Sequence, residues 1–212
     1  MKKIVIIFLT ISLTLEYNGV DLSAYDEEVD WEKLSKNIDF AIIKAGTNFG
    51  YIDREFEKNY VGAKNNGVAV GAYWYSYAKN EEEAAREAKY CLDIIKGKQY
   101  EYPIFYYIED LDTLYSGLTN QIYVTFCSIL EKAGYYCGVF FNIYDLYFFD
   151  KDILSNYTLW IASRDKNNPP VYNYSIWKYG LKYFDGLKFE ADGDISITDF
   201  APFMKEHHLN GF

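Results

Sequence analysis

The sequence predicts an α/β fold, a single-domain, irregular TIM-like (β/α)5β3 barrel in which five strand–helix units precede three strands. Short β-rich runs alternate with helical runs along the chain, which is typical of a parallel sheet. Runs such as Phe40-Ala41-Ile42-Ile43 are apolar on both faces, as strands covered on both sides must be. Eight strand candidates are the number that closes such a barrel. An open doubly wound sheet is the alternative, although no glycine-rich phosphate loop follows any candidate strand.

The candidate strands are short, and the last three follow one another too closely for full helices between them. They are Gly19–Ser23, Phe40–Gly46, Val68–Tyr75, Ile104–Ile108, Gly138–Phe141, Thr158–Ala162, Ser175–Tyr179 and Asp194–Ile197. The candidate helices are Trp31–Asn37, Asp53–Asn66, Glu81–Lys96, Asn120–Ala133 and Ile143–Phe149. Helix Glu81–Lys96 carries the clearest signals, because Asn80 is a good N-cap residue and Gly97 is placed to end the helix.

Composition excludes several classes of function. The 212 residues carry 21 Lys and Arg against 31 Asp and Glu, a formal charge of −10, and this surplus of acid argues against a nucleic-acid partner. The only histidines are His207 and His208, which argues against a catalytic triad or a multi-histidine metal site. We therefore expect no metal site. We also expect no organic cofactor and a monomer.

The chain begins like an exported protein. Lys2 and Lys3 precede an apolar run from Ile4 to Leu15, which is short for a membrane span but has the length of a signal-peptide core. We interpret residues 1–15 as a signal peptide and residues 16–212 as the barrel, which predicts a secreted protein without a membrane span in its mature chain. A buried first strand is the other interpretation. Three cysteines, Cys91, Cys127 and Cys137, permit at most one internal disulfide, and the sequence does not choose the pair.

Three carboxylates lie at the ends of predicted strands, where the chemistry of such barrels is found. They are Asp21, Glu109 and Asp194. Paired carboxylates are what glycoside hydrolysis uses, one donating a proton to the leaving oxygen and the other stabilising or attacking the anomeric carbon. Aromatic residues at strand ends are candidates for stacking on sugars, although packing in the barrel is the simpler interpretation for each. The candidates are Tyr73, Tyr75, Trp160, Trp177 and Tyr179.

Several segments, in matching order, resemble the glycoside hydrolase family 25 lysozymes, the N-acetylmuramidases of the Chalaropsis and phage endolysin type. They are Gly19-Val20-Asp21-Leu22-Ser23, Val29-Asp30-Trp31, Phe40 to Ala45, Gly71-Ala72-Tyr73-Trp74-Tyr75, Pro103 to Glu109, Ala133-Gly134-Tyr135, Leu159 to Ala162, Ile176-Trp177-Lys178-Tyr179 and Gly193-Asp194-Ile195. Trp74 stands where the family usually has His, and Lys178 where it usually has Gln.

The resemblance implies a secreted enzyme that cuts the β-1,4 bond between N-acetylmuramic acid and N-acetylglucosamine in peptidoglycan. It implies that Glu109 is the general acid and that Asp21 and Asp194 support it, with attack by the substrate's own acetamido oxygen. Peptidoglycan strands are then the expected partner, and Asn142 and Tyr107 join the aromatic candidates as expected substrate-binding residues.

One position departs from the family pattern. The fourth strand of the family usually reads D-x-E, whereas this chain has Tyr107-Ile108-Glu109. Asp110 can replace the missing acid only if the strand has already ended at that residue. Asp112 can replace it only if the following loop folds back. Three hypotheses therefore remain: a lysozyme-like hydrolase, active or weakened by Tyr107; an inactive barrel that binds glycan without cutting it; and an unrelated barrel whose likeness to the family is fortuitous.

Overall fold

The strands close into a barrel, as seen in a computed structural model that describes residues 15–163 and 168–212. The strands are β1 (Tyr17–Leu22), β2 (Phe40–Thr47), β3 (Tyr51–Ile52), β4 (Ala69–Tyr75), β5 (Ile104–Tyr107), β6 (Cys137–Asn142), β7 (Thr158–Ala162), β8 (Ile176–Lys182) and β9 (Ala191–Ser196). Their order is β1-β9-β8-β7-β6-β5-β4-β2-β3, and pairing of β1 with β2 closes the ring. The predicted eight-stranded barrel is confirmed, and the alternative of an open sheet is wrong.

The last strand of the barrel runs against its neighbours. β9 is antiparallel to both β8 and β1, whereas β1, β2 and β4 to β8 are parallel. The short strand β3 forms a hairpin with β2 outside the ring. Because β9 is reversed, its first residues lie at the same end of the barrel as the last residues of the other strands.

The helices surround the barrel. They are α1 (Trp31–Leu34), α2 (Phe56–Asn65), α3 (Glu81–Ile95), α4 (Leu111–Leu114), α5 (Thr119–Lys132), α6 (Lys151–Leu154) and α7 (Ala201–Glu206), with 3-10 helices at Ala24–Asp26 and Ile143–Phe148. Helix α2 begins three residues later than predicted because the Asp53 carboxylate accepts hydrogen bonds from the Ala24 and Glu55 amides in the preceding loop. Within the described ranges, no helix is long and apolar enough to cross a membrane.

Strand alternation divides the apolar side chains into two cores. The larger core lies between the barrel and its helices and includes Val70, Ala72 and Trp74 of β4. The smaller core fills the barrel and includes Phe40, Tyr73, Phe105 and Trp160. The interior is therefore packed below the end at which the parallel strands finish.

Candidate active site

A small cavity of about 150 Å³ opens where the parallel strands end. Its lining comes from the ends of β5, β6, β7 and β8 and from the start of β9: Tyr107, Glu109, Phe140, Asn142, Ala162, Lys178, Gly180 and Asp192. This is the end of the barrel at which catalytic residues are found in folds of this type. The lining holds two carboxylates, one ammonium group and one phenol.

Glu109 lies where the sequence predicts it, half-buried in the cavity wall just beyond the end of β5. The next acid serves the backbone, because Asp110 Oδ2 accepts hydrogen bonds from the Thr113 amide and hydroxyl and caps α4. Asp112 is exposed, 2.7 Å from Lys79 Nζ. The lining of the cavity therefore includes neither Asp110 nor Asp112 beside Glu109.

Tyr107 points into the cavity and is held there by other rings. Its ring stacks on Phe140 with centroids 3.6 Å apart and on Tyr75 at 5.2 Å. Its hydroxyl oxygen is 3.4 Å from Lys178 Nζ. Burial raises the pKa of Tyr107 above its ordinary value, in spite of the opposing charge of Lys178. Tyr107 is therefore a neutral hydrogen-bonding group at neutral pH.

Lys178 is the centre of the charge arrangement and was not among the predicted site residues. Its Nζ lies 3.1 Å from Asp21 Oδ2 and 2.9 Å from Asp192 Oδ2. Burial lowers the pKa of Lys178, but the nearby carboxylates, Asp21 first and Asp192 after it, more than offset this and hold the pKa well above its ordinary value. The ammonium is therefore charged, and the sequence signal for it was the lysine in a position where the family usually has glutamine.

Asp21 and Asp194 lie behind the cavity lining. Burial raises the pKa of Asp21 to about 7, with Lys178 opposing the shift and Asp192 adding to it. Asp194 is fully buried, and its Oδ1 accepts a hydrogen bond of 2.7 Å from the Trp160 indole N–H. Burial, reinforced by the nearby carboxylate of Asp21, raises the pKa of Asp194 well above its ordinary value.

The sequence predicts Asp194 as a supporting carboxylate in the pocket of Glu109, whereas the structure places it behind the residues that line the cavity. The acid of β9 that lines the cavity is Asp192, two residues earlier on the same face of the strand. The physical reason is the reversed direction of β9, which places its earlier residues nearest the open end. The motif Asp192-Gly193-Asp194 contains both acids, but the sequence alone does not give the strand direction that distinguishes them.

The predicted substrate-binding residues divide into two groups. Tyr107 and Asn142 line the cavity, and Tyr75 is half-buried against Tyr107. The others pack within the protein. Tyr73 and Trp160 lie in the barrel core, the buried Trp177 donates its indole N–H to the Ser163 carbonyl at 2.9 Å, and the Tyr179 ring lies against Gly193. Trp160 is fully buried and cannot stack on a sugar, because inward-facing side chains fill barrels of this size.

The family membership of the chain follows from its sequence. The sequence model of Glycosyl hydrolases family 25 matches residues 20–184, which is most of the chain. The chain belongs to glycosyl hydrolase family 25. The predicted membership is confirmed, and so is the assignment as a glycoside hydrolase.

This family 25 protein is similar to a curated relative in sequence and to a solved endolysin domain in fold. The protein YegX of Escherichia coli O6:H1 is 22% identical over 206 residues, which cover 92% of this chain and 72% of YegX. The catalytic domain of endolysin ply40 from bacteriophage P40 of Listeria monocytogenes superposes with a TM-score of 0.79 at 18% identity, covering 90% of this chain and 98% of that domain.

A longer protein contains the same barrel. The modular autolysin LytC from Streptococcus pneumoniae, solved in complex with a synthetic peptidoglycan ligand, superposes with a TM-score of 0.75 at 23% identity. The match covers 85% of this chain and 46% of the autolysin, so this family 25 chain spans just under half of that protein's length. These likenesses show a shared barrel fold.

Proposed function

We propose that the chain is a lysozyme-like N-acetylmuramidase that cleaves the β-1,4 bond between N-acetylmuramic acid and N-acetylglucosamine in bacterial peptidoglycan. The observation that carries the proposal is Glu109, a carboxylic acid at the open end of a closed barrel, sharing one cavity with Asp192. Membership of the family and the peptidoglycan ligand of the autolysin with the same fold support the choice of substrate.

Glu109 supplies the proton in the proposed reaction. The Glu109 carboxylic acid protonates the glycosidic oxygen, and the C–O bond breaks as positive charge develops at the anomeric carbon. The acetamido carbonyl oxygen of the substrate attacks that carbon, and water then opens the resulting ring with Glu109 acting as base. The Asp192 carboxylate, held in place by Lys178, offsets the developing positive charge.

Tyr107 takes the position of the carboxylate that would orient the acetamido group. Its phenol oxygen can accept a hydrogen bond from the acetamido N–H, but it brings no negative charge to the site. The loss of one acid–base partner typically costs about 10²–10⁴-fold in rate. We therefore expect slow turnover.

A second candidate function is glycan binding without cleavage, and the Lys178 ammonium favours it. This cation lies 3.4 Å from the hydroxyl oxygen of Tyr107, and Tyr107 is the residue that stands where the family usually has a carboxylate. A positive charge there opposes a transition state that is itself cationic. The barrel would then retain a sugar site without an effective catalyst.

The first experiment measures the release of reducing ends from purified peptidoglycan by the wild type and by Glu109→Gln. Loss of the proton donor should lower the rate by at least about 10²-fold without changing the circular dichroism spectrum. Glu206→Gln, at an exposed position in α7, is the matched control and should cleave like the wild type. Equal cleavage by Glu109→Gln and the wild type would rule out Glu109 as the general acid.

The second experiment separates the two candidate functions. If the wild type sediments with peptidoglycan but releases no reducing ends, the binding function is supported. The double variant Tyr107→Asp with Lys178→Gln restores the charges of the usual family pattern and should then create cleavage. If the wild type already turns over, the same double variant should be faster.

We also propose that the protein is exported and that its signal peptide is removed near residue 15. The support is the pair Lys2 and Lys3 followed by the apolar run to Leu15; residues 1–14 lie outside the described part of the chain. Amino-terminal sequencing of protein recovered from the medium of producing cells should give a start near Glu16. Intact Met1 in all of the recovered protein would exclude removal of the signal.

A further inference from the structure

Four large apolar side chains are exposed on two neighbouring loops beside the cavity. They are Leu111, Tyr115, Tyr144 and Tyr147, with exposed fractions of 64%, 70%, 79% and 70%. We refer to these four residues as the aromatic platform. Exposed apolar surface of this kind, next to a cleft, commonly marks a binding site because water solvates it poorly. Nothing in the reaction described above uses it.

The platform is continuous with the cavity along the chain. Leu111 begins α4 two residues after Glu109, and the 3-10 helix Ile143–Phe148 follows directly after Asn142. Glu109 and Asn142 both line the cavity. The negative charge of Glu109 also adds to the burial that raises the pKa of Asp145, in the middle of this 3-10 helix. A chain that leaves the cavity on the β5–β6 side therefore passes over the platform.

Contacts between the two loops hold the rings in place. Phe148 of the second loop contacts the first, with its ring centroid 4.9 Å from that of Tyr115, and lies 4.0 Å from the ring of its chain neighbour Tyr147. Each loop is fixed at its start by a cap: Asp110 accepts from the Thr113 amide, and Asn142 accepts from the Tyr144 amide at 3.1 Å. The platform is thus ordered before any ligand binds, so the loss of conformational entropy on binding is smaller.

The chemistry of the platform selects the kind of ligand. Tyrosine rings offer a flat apolar face for the C–H face of a pyranose and a hydroxyl for its polar edge. The surrounding acids, Glu109, Asp112 and Asp145, disfavour a strongly anionic ligand such as nucleic acid. A sugar chain already held in the cavity meets both conditions, because it presents pyranose faces and carries far less charge than a nucleic acid.

We propose that the aromatic platform binds sugar units of a glycan strand that extends from the cavity, so that the protein binds long strands more tightly than short ones. This proposal rests on the proposed function for the identity of the chain in the cavity. It assigns the loops after β5 and β6 to the recognition of strand length. It does not require that the strand be cut.

The test measures binding of soluble N-acetylglucosamine oligomers to the Glu109→Gln variant by calorimetry, so that cleavage does not interfere. Hexamer should bind more tightly than dimer. Tyr147→Ala and Tyr115→Ala should each weaken binding of the hexamer by about tenfold, equivalent to about 1.4 kcal/mol, and leave binding of the dimer unchanged. Tyr147→Phe keeps the ring and should bind the hexamer like its parent.

One control variant and one further platform variant show whether a loss of binding is specific to the platform. Tyr90→Ala removes an exposed tyrosine from α3 and should bind both oligomers like its parent. Tyr144→Ala removes the most exposed of the three platform tyrosines and should reproduce the selective loss if the loops keep their structure. Near-ultraviolet circular dichroism and thermal melting of each variant check that structure.

Three outcomes are distinct. Selective loss of hexamer binding supports the platform, and it does so even if the wild type never cleaves peptidoglycan. Equal binding of the hexamer by Tyr115→Ala, Tyr144→Ala and Tyr147→Ala variants and their parent overturns the platform, and it leaves the muramidase proposal standing if the wild type cleaves. Failure of the parent to bind either oligomer also overturns it.

Discussion

At the scale of single residues, the charges in the cavity depend on Lys178. Asp21 and Asp192 lie within 3.1 Å of its ammonium group, and Asp194 is fully buried behind them. A carboxylate that is buried without a partner is costly, so Lys178 allows the acids of β1 and β9 to stand close together. The same charge that stabilises the fold opposes a cationic transition state.

Lys178→Gln should lower the free energy of unfolding by about 3 kcal/mol at pH 8 and by less at pH 5, because Asp21 then lacks its partner. The pKa of Asp21 is already raised to about 7 and should rise further without the ammonium. A folded state with a raised carboxyl pKa holds the proton more tightly than the unfolded chain, so its stability falls as the pH rises. Urea unfolding at both pH values measures the difference. Lys182→Gln, an exposed lysine of the same strand, should show none, and an equal loss at both pH values would contradict the assignment.

At the scale of elements, a buried carboxyl group joins α3 to the barrel. Glu87 Oε1 accepts a hydrogen bond from the Tyr77 amide, and Glu87 Oε2 accepts from the Tyr106 hydroxyl at 2.7 Å. The Tyr106 hydroxyl in turn accepts from Ser76 Oγ. Burial raises the pKa of Glu87 from 4.5 to about 7, and these hydrogen bonds oppose the shift only in part.

The pH dependence of stability should therefore depend on Glu87. Because its pKa is higher in the folded state than in the unfolded chain, its contribution is fully present below about pH 4.5 and is lost as the pH rises through about 7. The loss attributable to this group is at most about 3 kcal/mol. Chemical denaturation between pH 4.5 and 8 should show a smaller decline for Glu87→Gln than for the wild type. Glu82→Gln, at an exposed position on the same helix, should retain the decline of the wild type, and an unchanged slope in Glu87→Gln would contradict the argument.

The bounds of a helix or strand can be predicted where residues close in sequence determine them. They are harder to predict where the bounds depend on a contact with a distant part of the chain. Asn80 caps α3 as predicted, through a hydrogen bond to the Glu83 amide. By contrast, the sequence predicts that a helix begins at Asp53, whereas the Asp53 carboxylate accepts a hydrogen bond from the amide of Ala24, which lies 29 residues earlier in the chain. The location of Glu109 followed from strand order and family pattern. The replacement of Asp194 by Asp192 at the cavity depended on the direction of β9, which comes from pairing with β1 and β8.

At the scale of the whole molecule, one end of the barrel contains the ligand cavity and the other end contributes to stability. The end where the parallel strands finish carries the cavity, whereas the opposite end is closed by the C-terminal segment. Phe200 and Met204 pack into the interior core, and Leu209 and Phe212 pack against it. Asn210, fully buried, bonds to the backbone beside the starts of β5 and β6. Stability and ligand binding can therefore be altered separately.

Asn210 offers the test of this separation. Its Nδ2 donates to the Tyr102 carbonyl at 2.8 Å, and its Oδ1 accepts from the Tyr136 amide at 2.7 Å. Asn210→Ala leaves both backbone groups without partners and places alanine at a φ of 55°, so the free energy of unfolding should fall by about 3 to 5 kcal/mol. His208→Ala changes an exposed residue with a similar φ of 53° and isolates the cost of the backbone conformation alone, which should be smaller. Urea unfolding measures both variants, and oligomer binding per folded molecule, measured well below the melting temperature, should equal that of the wild type. Weakened binding by folded Asn210→Ala would show that the two ends of the barrel are coupled.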